Sequence, residues 1–123
     1  MELRVIKKYL NEYLNKGFIR PSTLLVAASI LLTRKLGGGI RICVDYRRLN
    51  NVIVKNKYPI LLIYEMLDLL NRAKYYTKLN ITAAFNQLRI VPGDEWKTVF
   101  ITRFGLYEYL VANFGIIGAP SSF

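Results

Sequence analysis

The sequence predicts an α+β fold. Two stretches carry apolar residues at helical spacing, and several shorter runs read as strands. Helices and strands do not follow the regular strand–helix–strand alternation that a parallel sheet requires. Glycine-bearing turns join strand directly to strand, as antiparallel hairpins do.

Leu3, Ile6, Leu10 and Leu14, with Tyr13 beside them, form one apolar stripe, and Lys7, Lys8, Asn11 and Asn15 take the other side. An amphipathic helix is therefore expected over residues 2–16, stopped by Gly17. "FIRPS" leaves it as an extended segment. "VAASILLTRK" reads as a strand, the turn "LGGG" at 36–39 follows, and "IRICVDYR" completes a hairpin. "RRLNNVIVKNKYP" reads as a basic connection. Ile63, Met66, Leu67 and Leu70 mark a second helix over about 62–72. "YYTKLNI" is β-like and "TAAFNQL" a short helical turn. "PGDEWKT" begins at a Pro-Gly turn and sets Asp94 and Glu95 near a helix N-terminus, where negative charge is favoured. "VFITRFGLYEYLVANF" reads as two apolar strands around "RFGL", and "GIIGAPSSF" as the start of an element that is cut short.

Composition narrows the chemistry. At 123 residues the chain suits one domain or part of a larger one. Hydrophobic residues are 53 % and charged residues 21 %, which argues against disorder. Eighteen Lys and Arg against eight Asp and Glu give a formal charge of +10, which suits a polyanionic partner such as nucleic acid. A plain solvated basic surface is the alternative. With no histidine there is no Ser-His-Asp or Cys-His arrangement and no histidine-bearing zinc site. The single cysteine, Cys43, makes no internal disulfide and reads as a buried small residue. The apolar run "LLVAASILL" is about half of the ~20 residues a membrane-spanning helix needs, and no secretory leader is evident. A soluble intracellular product, away from membranes and in no indicated compartment, is the expectation.

Three constellations deserve weighing on their residues. In "RKLGGGIR", Arg34, Lys35 and Arg41 flank three glycines that can bend around a phosphate chain; an ordinary flexible turn is the bland and favoured alternative. In "VDYRRLNNVIVKNKYP", Tyr46 and Tyr58 among Arg47, Arg48, Lys55 and Lys57 can hold a nucleic-acid backbone and stack a base, or the tyrosines can pack inward. In "YYTKLNITAAF", the end of an apparent strand is Asn80, where a two-metal enzyme would place a carboxylate. Two divalent ions about 4 Å apart repel by about 17 kcal/mol at an effective dielectric near 20, so anionic ligands are needed. Asn80 is neutral, and none of the chain's aspartates, Asp45, Asp68 and Asp94, is next to it in sequence. A polar strand end is the favoured reading there.

Taken together, "GFIRPS", "GGGIRICVDYRRLN", "KNKYP", "AKYYTKLNI", "GDEWKTVF", "TRFGLYEYLV" and "FGIIGAP" occur in an order and spacing similar to reverse transcriptases of gypsy-type LTR retrotransposons, fungal copies above all. The resemblance spans essentially the whole chain. It implies an incomplete right-hand polymerase fold in one domain, 1–123: about 1–74 on the fingers side and about 75–123 as the start of the palm, with no second domain. It implies nucleotide binding by Arg34, Lys35, Arg41, Phe85, Phe114 and Gly115, and template or fingers support by Asp45 and Arg47. Asn80 falls on the family's first catalytic Asp, and the chain ends before the family's Y-x-D-D strand, so no intact catalytic carboxylate is expected. No metal or other cofactor is expected for this chain, whereas the intact family uses Mg²⁺ or Mn²⁺ with dNTP and an RNA or DNA template-primer. The expected product is thus a retrotransposon reverse-transcriptase domain without activity, retaining weak nonspecific nucleic-acid binding. The alternatives are a co-opted non-catalytic basic module and a decayed transposon remnant. The resemblance implies proline at the positions of Leu25, Leu36 and Leu61, and the leucines are expected to restore backbone freedom and expose apolar surface. The hairpin over 99–112 is expected to lack neighbouring strands and to leave an apolar edge.

Overall fold

The computed structural model describes residues 1–54 and 62–116. Tyr58, Lys55, Lys57, Leu61 and the stretch after residue 116 lie outside the described residues. The order of elements is α1 (Glu2–Asn15), β1 (Ile19–Pro21), β2 (Ala28–Arg34), β3 (Ile40–Val44), α2 (Arg47–Val52), α3 (Ile63–Leu70), β4 (Phe100–Thr102) and β5 (Gly105–Tyr109). Short 3-10 turns fall at Ala84–Gln87 and Glu95–Thr98.

Helix α1 forms where the stripe predicts it and buries Ile6 and Leu10. It ends in a Schellman closure: Gly17, at φ +71°, donates its N–H to Leu14 O, and Phe18 N–H donates to Tyr13 O at 2.9 Å. The Phe18 ring then packs edge-on against Tyr13, with centroids 5.6 Å apart, so the chain leaves the helix in a fixed direction and enters β1.

The five strands form one sheet in the order β1-β5-β4-β2-β3. β4 and β5 pair as the expected hairpin, but they occupy the middle of the sheet. β1 runs antiparallel to β5, and β2 runs parallel to β4 with Ala28 opposite Phe100. The expectation of an unpartnered hairpin at 99–112 is therefore overturned. The strands that cover it come from the N-terminal third, a long-range pairing that no local pattern discloses. The sheet draws on residues from both sides of position 74.

α1 lies on this sheet, and the core is the contact between them: Ile6 and Leu10 meet Ile19, Val44, Tyr46, Phe100 and Tyr109. Tyr109 and Phe100 are the largest fully buried side chains, their rings 5.1 Å apart. Beneath the sheet's β5 end, buried Glu95 accepts the Gly93 N–H at 2.8 Å and pairs with Arg89 at 2.8 Å. Arg20 approaches the same carboxylate at 3.7 Å and pairs with Glu108 at 2.6 Å across β1 and β5.

Three local expectations change. Residues 47–52, read as connection, form helix α2, which is too short to show a helical period. The β-like "YYTKLNI" is not a strand: residues 75–81 are exposed and pair with no strand among the described residues. Cys43 is half-buried on β3 rather than sealed in the core. α3 is a helix as predicted, yet none of its residues is buried.

Candidate functional site

The β2–β3 ribbon turns through Gly37, Gly38 and Gly39, at φ +88°, +98° and +87°. Gly38 N–H donates to Lys35 O, and Lys35 N–H to Gly39 O at 3.0 Å. Side-chain-bearing residues rarely adopt such angles, so the three glycines make the tight reversal possible. In the pairing register Arg34 opposes Ile40 and Arg41 opposes Thr33. Strand alternation therefore sets the two arginines on opposite faces of the ribbon. Lys35 and Arg41 line an open cleft between the ribbon and α1, shared with Phe114. Arg34 lines a neighbouring cleft against Met1, Glu2 and Val5 at the start of α1, to which Lys35 also contributes. The ribbon's cations thus do not converge as one cluster.

At the other end of β3, Asp45 is held by Arg47. Arg47 Nε donates to Asp45 Oδ1 at 2.8 Å and Nη2 to Oδ2 at 2.7 Å, while the Arg47 backbone N–H also reaches Oδ1 at 3.2 Å. This bidentate grip, followed by the backbone donor, pulls the Asp45 carboxyl down to about 2. The carboxylate lies two residues before α2 and shares a cleft with Ala28, Ser29, Arg48 and Asn51. Tyr46 between them points inward, and its hydroxyl donates to Thr98 O at 2.7 Å. It is thus core, not a stacking platform; the exposed groups here are Arg47 and Arg48.

Gly115 links this region to the loop after β5. At φ +98° an added Cβ would lie 3.2 Å from Val44 O, so a side chain there is disfavoured on two counts. Its carbonyl accepts from Asn50 Nδ2 at 2.7 Å, tying the loop to α2. The adjacent Phe114 meets Phe85 edge-on, with centroids 5.1 Å apart and planes at 75°. The Phe85 turn is entered through Ala83 at φ +49°, an angle that L-residues with a Cβ seldom take. Phe85 and Phe114 border a small hollow with Ile81 and Ala84.

Asn80 lies in the exposed segment before that turn. Among the described residues no group of three His, Cys, Asp or Glu side chains could hold a metal ion. Asp45 is occupied by Arg47 and Asp94 by Lys97 at 2.8 Å. The donor set does not fit the divalent ions that the resemblance implies. Asn80 offers one neutral carbonyl oxygen, and among the described residues no carboxylate cluster stands with it to offset two like-charged ions.

The structure therefore gathers Lys35, Arg41 and Phe114 in one cleft, joins Phe85 to it through Phe114, and places Asp45, Arg47 and Gly115 at the far end of β3. The same cleft is lined by Lys8, Asn86 and Asn113, which the sequence did not single out. Lys8 reads as one of many solvent-facing helix cations, and its place opposite the ribbon depends on how α1 docks.

Comparison with known proteins adds three findings. The family described as reverse transcriptase (RNA-dependent DNA polymerase) matches residues 33–123. The chain is 43 % identical over 84 residues to an RNA-directed DNA polymerase homolog of Oenothera berteroana, covering 68 % of this chain and 59 % of that protein. It is 34 % identical over 122 residues to the Transposon Tf2-3 polyprotein of Schizosaccharomyces pombe, covering 99 % of this chain and only 9 % of the polyprotein. Among solved structures, the native Prototype Foamy Virus protease-reverse transcriptase superposes with a TM-score of 0.82 at 24 % identity, over 93 % of this chain and 15 % of the other. The foamy viral enzyme in complex with double-stranded DNA gives 0.83 at 21 % identity, over 96 % of this chain and 21 % of the other. The foamy viral enzyme with an RNA/DNA hybrid gives 0.77 at 17 % identity, over 97 % and 16 %.

Proposed function

The chain belongs to the reverse transcriptase (RNA-dependent DNA polymerase) family, and we propose that it acts as the part of such an enzyme that holds nucleotide and template without performing the chemistry. The observation behind this is the mismatch between two regions. Lys35, Arg41 and Phe114 stand together around one cleft, and Phe85 packs edge-on against Phe114. On the metal-binding side, Asn80 is exposed and neutral, and no acidic cluster accompanies it among the described residues. Nucleotidyl transfer by two metals needs carboxylates to hold like-charged ions in place, so nucleotide and template can be bound here while the reaction is not catalysed.

Nucleic acid as partner is supported by the formal charge of +10 and by the foamy viral complexes with DNA and RNA/DNA hybrid. A gypsy-type retrotransposon origin, dNTP as the nucleotide, and a life inside the cell away from membranes belong to the same proposal. Among the described residues no helix is long and apolar enough to cross a membrane.

The test pairs binding with turnover on the purified 123-residue chain. Fluorescence anisotropy with a labelled primer-template should show binding that weakens steeply as salt rises. No primer extension should be detected with dNTP and Mg²⁺ or Mn²⁺, and Asn80→Asp alone should leave extension absent, because one added carboxylate does not supply the set. Extension by the unmodified chain would overturn the proposal, as would binding that ignores salt.

A further inference from the structure

Buried Glu95 holds more than the turn it starts. The residue is 4 % exposed, and both of its carboxylate oxygens are taken. Oε1 accepts from Arg89 Nη2 at 2.8 Å, and Oε2 accepts from the Gly93 N–H at 2.8 Å with Arg20 of β1 at 3.7 Å. A carboxylate withdrawn from water persists only with such partners, so these surroundings suit its charged form.

Arg89 carries that anchor towards the site. Its Nη1 donates to the carbonyls of Leu110 and Ile90, the latter at 3.1 Å. Arg89 and Val111 face each other in an antiparallel bridge outside the five strands. Ile90 N–H donates to Leu110 O at 2.9 Å and Ala112 N–H to Leu88 O at 2.8 Å. So short a pairing is marginal by itself in water. The guanidinium staples it, bonding a carbonyl across the bridge while Glu95 fixes its other side. Both members of the aromatic pair hang from this bridge. Phe85 lies four residues before Arg89, and its carbonyl accepts the Leu88 N–H at 3.1 Å. Phe114 lies three residues after Val111, and the two rings meet with centroids 5.1 Å apart.

We propose that Glu95 is a positioning residue: through Arg89 it fixes the bridge between 88–90 and 110–112, and so sets the Phe85–Phe114 pair beside the cleft. Buried beneath β5, it acts through Arg89 and not on the ligand. Arg20, paired with Glu108 at 2.6 Å across β1 and β5, ties the same carboxylate to the sheet. The proposal rests on the reading that this side of the molecule holds nucleotide and template, and it assigns the group that keeps that side in shape.

Amide hydrogen exchange by NMR, and anisotropy with a labelled primer-template, test it on the 123-residue chain. Arg89→Lys keeps a charge opposite Glu95 but lacks the planar fork that spans carboxylate and carbonyl together. In this variant and in Glu95→Gln, the Ile90 and Ala112 amides should exchange about tenfold faster or more. The Asp45 amide, bonded to Ser29 O at 2.8 Å, should not change. Both variants should weaken primer-template binding about fivefold or more, since a preorganised surface binds more tightly. In a Phe114→Ala background Arg89→Lys should alter binding less than about twofold, because the ring it positions is gone. Equal acceleration of all three amides in Arg89→Lys would make the pair a stability element only and overturns the proposal, as does unchanged exchange at Ile90 and Ala112. Undiminished loss of binding in the Phe114→Ala background overturns it too, since Arg89 would then act on the nucleic acid directly. Should Glu95→Gln fail to fold, Arg89→Lys decides alone. Absence of primer-template binding by the unmodified chain would defeat the underlying reading, and the exchange measurements would still judge the clamp.

Discussion

Asp45 shows how much one residue's environment changes its chemistry. Its sequence context, an aspartate two residues before an arginine, is compatible with either a free ligand or a closed pair. The structure closes it: both carboxylate oxygens receive Arg47 guanidinium hydrogens, and the backbone adds a third donor. A carboxyl depressed in the fold stabilises it above the ordinary value near 3.8, and that contribution is lost as pH falls through about 2. Arg47→Ala should therefore return the Asp45 titration most of the way towards 3.8, read from its side-chain carboxyl carbon by NMR. An Asp45 midpoint still near 2 in that variant would mean that the backbone donor, not the guanidinium, sets it. Residue-level roles were legible in part. Glycine and charge alone favour an ordinary flexible turn at Arg34, Lys35 and Arg41, and it is the resemblance that implies nucleotide binding there; Lys35 and Arg41 share a cleft. That Arg34 faces away from Arg41 follows from a register in which the turn's length, not its composition, decides the face. The burial of Asn113 was not legible, because burial of a single amide has no pattern in sequence.

The helices α1 and α3 illustrate the same lesson one level up. Both were predicted from apolar residues at helical spacing, and both are helices. Only α1 is packed. Its Leu10 is 2 % exposed against the sheet, whereas Leu67 of α3 is 55 % exposed. Periodicity reports a face that could be buried; it does not say what buries it. Leu10→Ala should cost about 2–5 kcal/mol, the range for a large-to-small change in a core. Leu67→Ala should change stability by about 0.5 kcal/mol or less, as exposed positions do. Urea melts of the two variants compare them directly, and equal losses would mean that α3 is packed in solution. The "YYTKLNI" stretch was misread for a related reason. Alternation and β-branched or aromatic residues suit a strand, but a strand needs a neighbour to hydrogen-bond, and among the described residues none lies beside 75–81. The short α2 escaped notice because six residues hold too few turns to display a period.

At the scale of the whole molecule, the apolar surface that was expected at a sheet edge lies elsewhere. β4 and β5 are flanked on both sides, so the hairpin offers no open edge. Leu25 and Leu36 are exposed as foreseen, and so are Leu62, Ile63, Tyr64, Leu67 and Leu69 of α3 and its approach, and Tyr75, Leu79 and Ile81 after it. Exposed apolar side chains in such number promote association, opposed here by the self-repulsion of a chain at +10. Raising salt screens the repulsion and leaves the apolar side chains, so self-association should increase with ionic strength. Sedimentation velocity should show this for the unmodified chain and show it suppressed for a Leu67→Lys, Leu79→Lys double variant. Identical profiles for the two would place the sticky surface outside α3 and its sequel. The class of the fold was readable because α1, the glycine-turned ribbon and the β4–β5 pair are each local. The order of strands was not, because the β2–β4 pairing joins segments with α2, α3 and both 3-10 turns between them.

That strand order also governs how the chain comes off the ribosome. The innermost strands, β4 and β5, are synthesised last, while β1, β2 and β3 are complete by Val44. At about 5–20 residues per second, the interval before Tyr109 is made amounts to several seconds. Throughout it α1 has only half of its seat, and Ile19 and Ala28 wait with open inner flanks for partners not yet translated. Both flanks of the β4–β5 hairpin can be paired only after that wait, because each partner strand bonds residues made at its end.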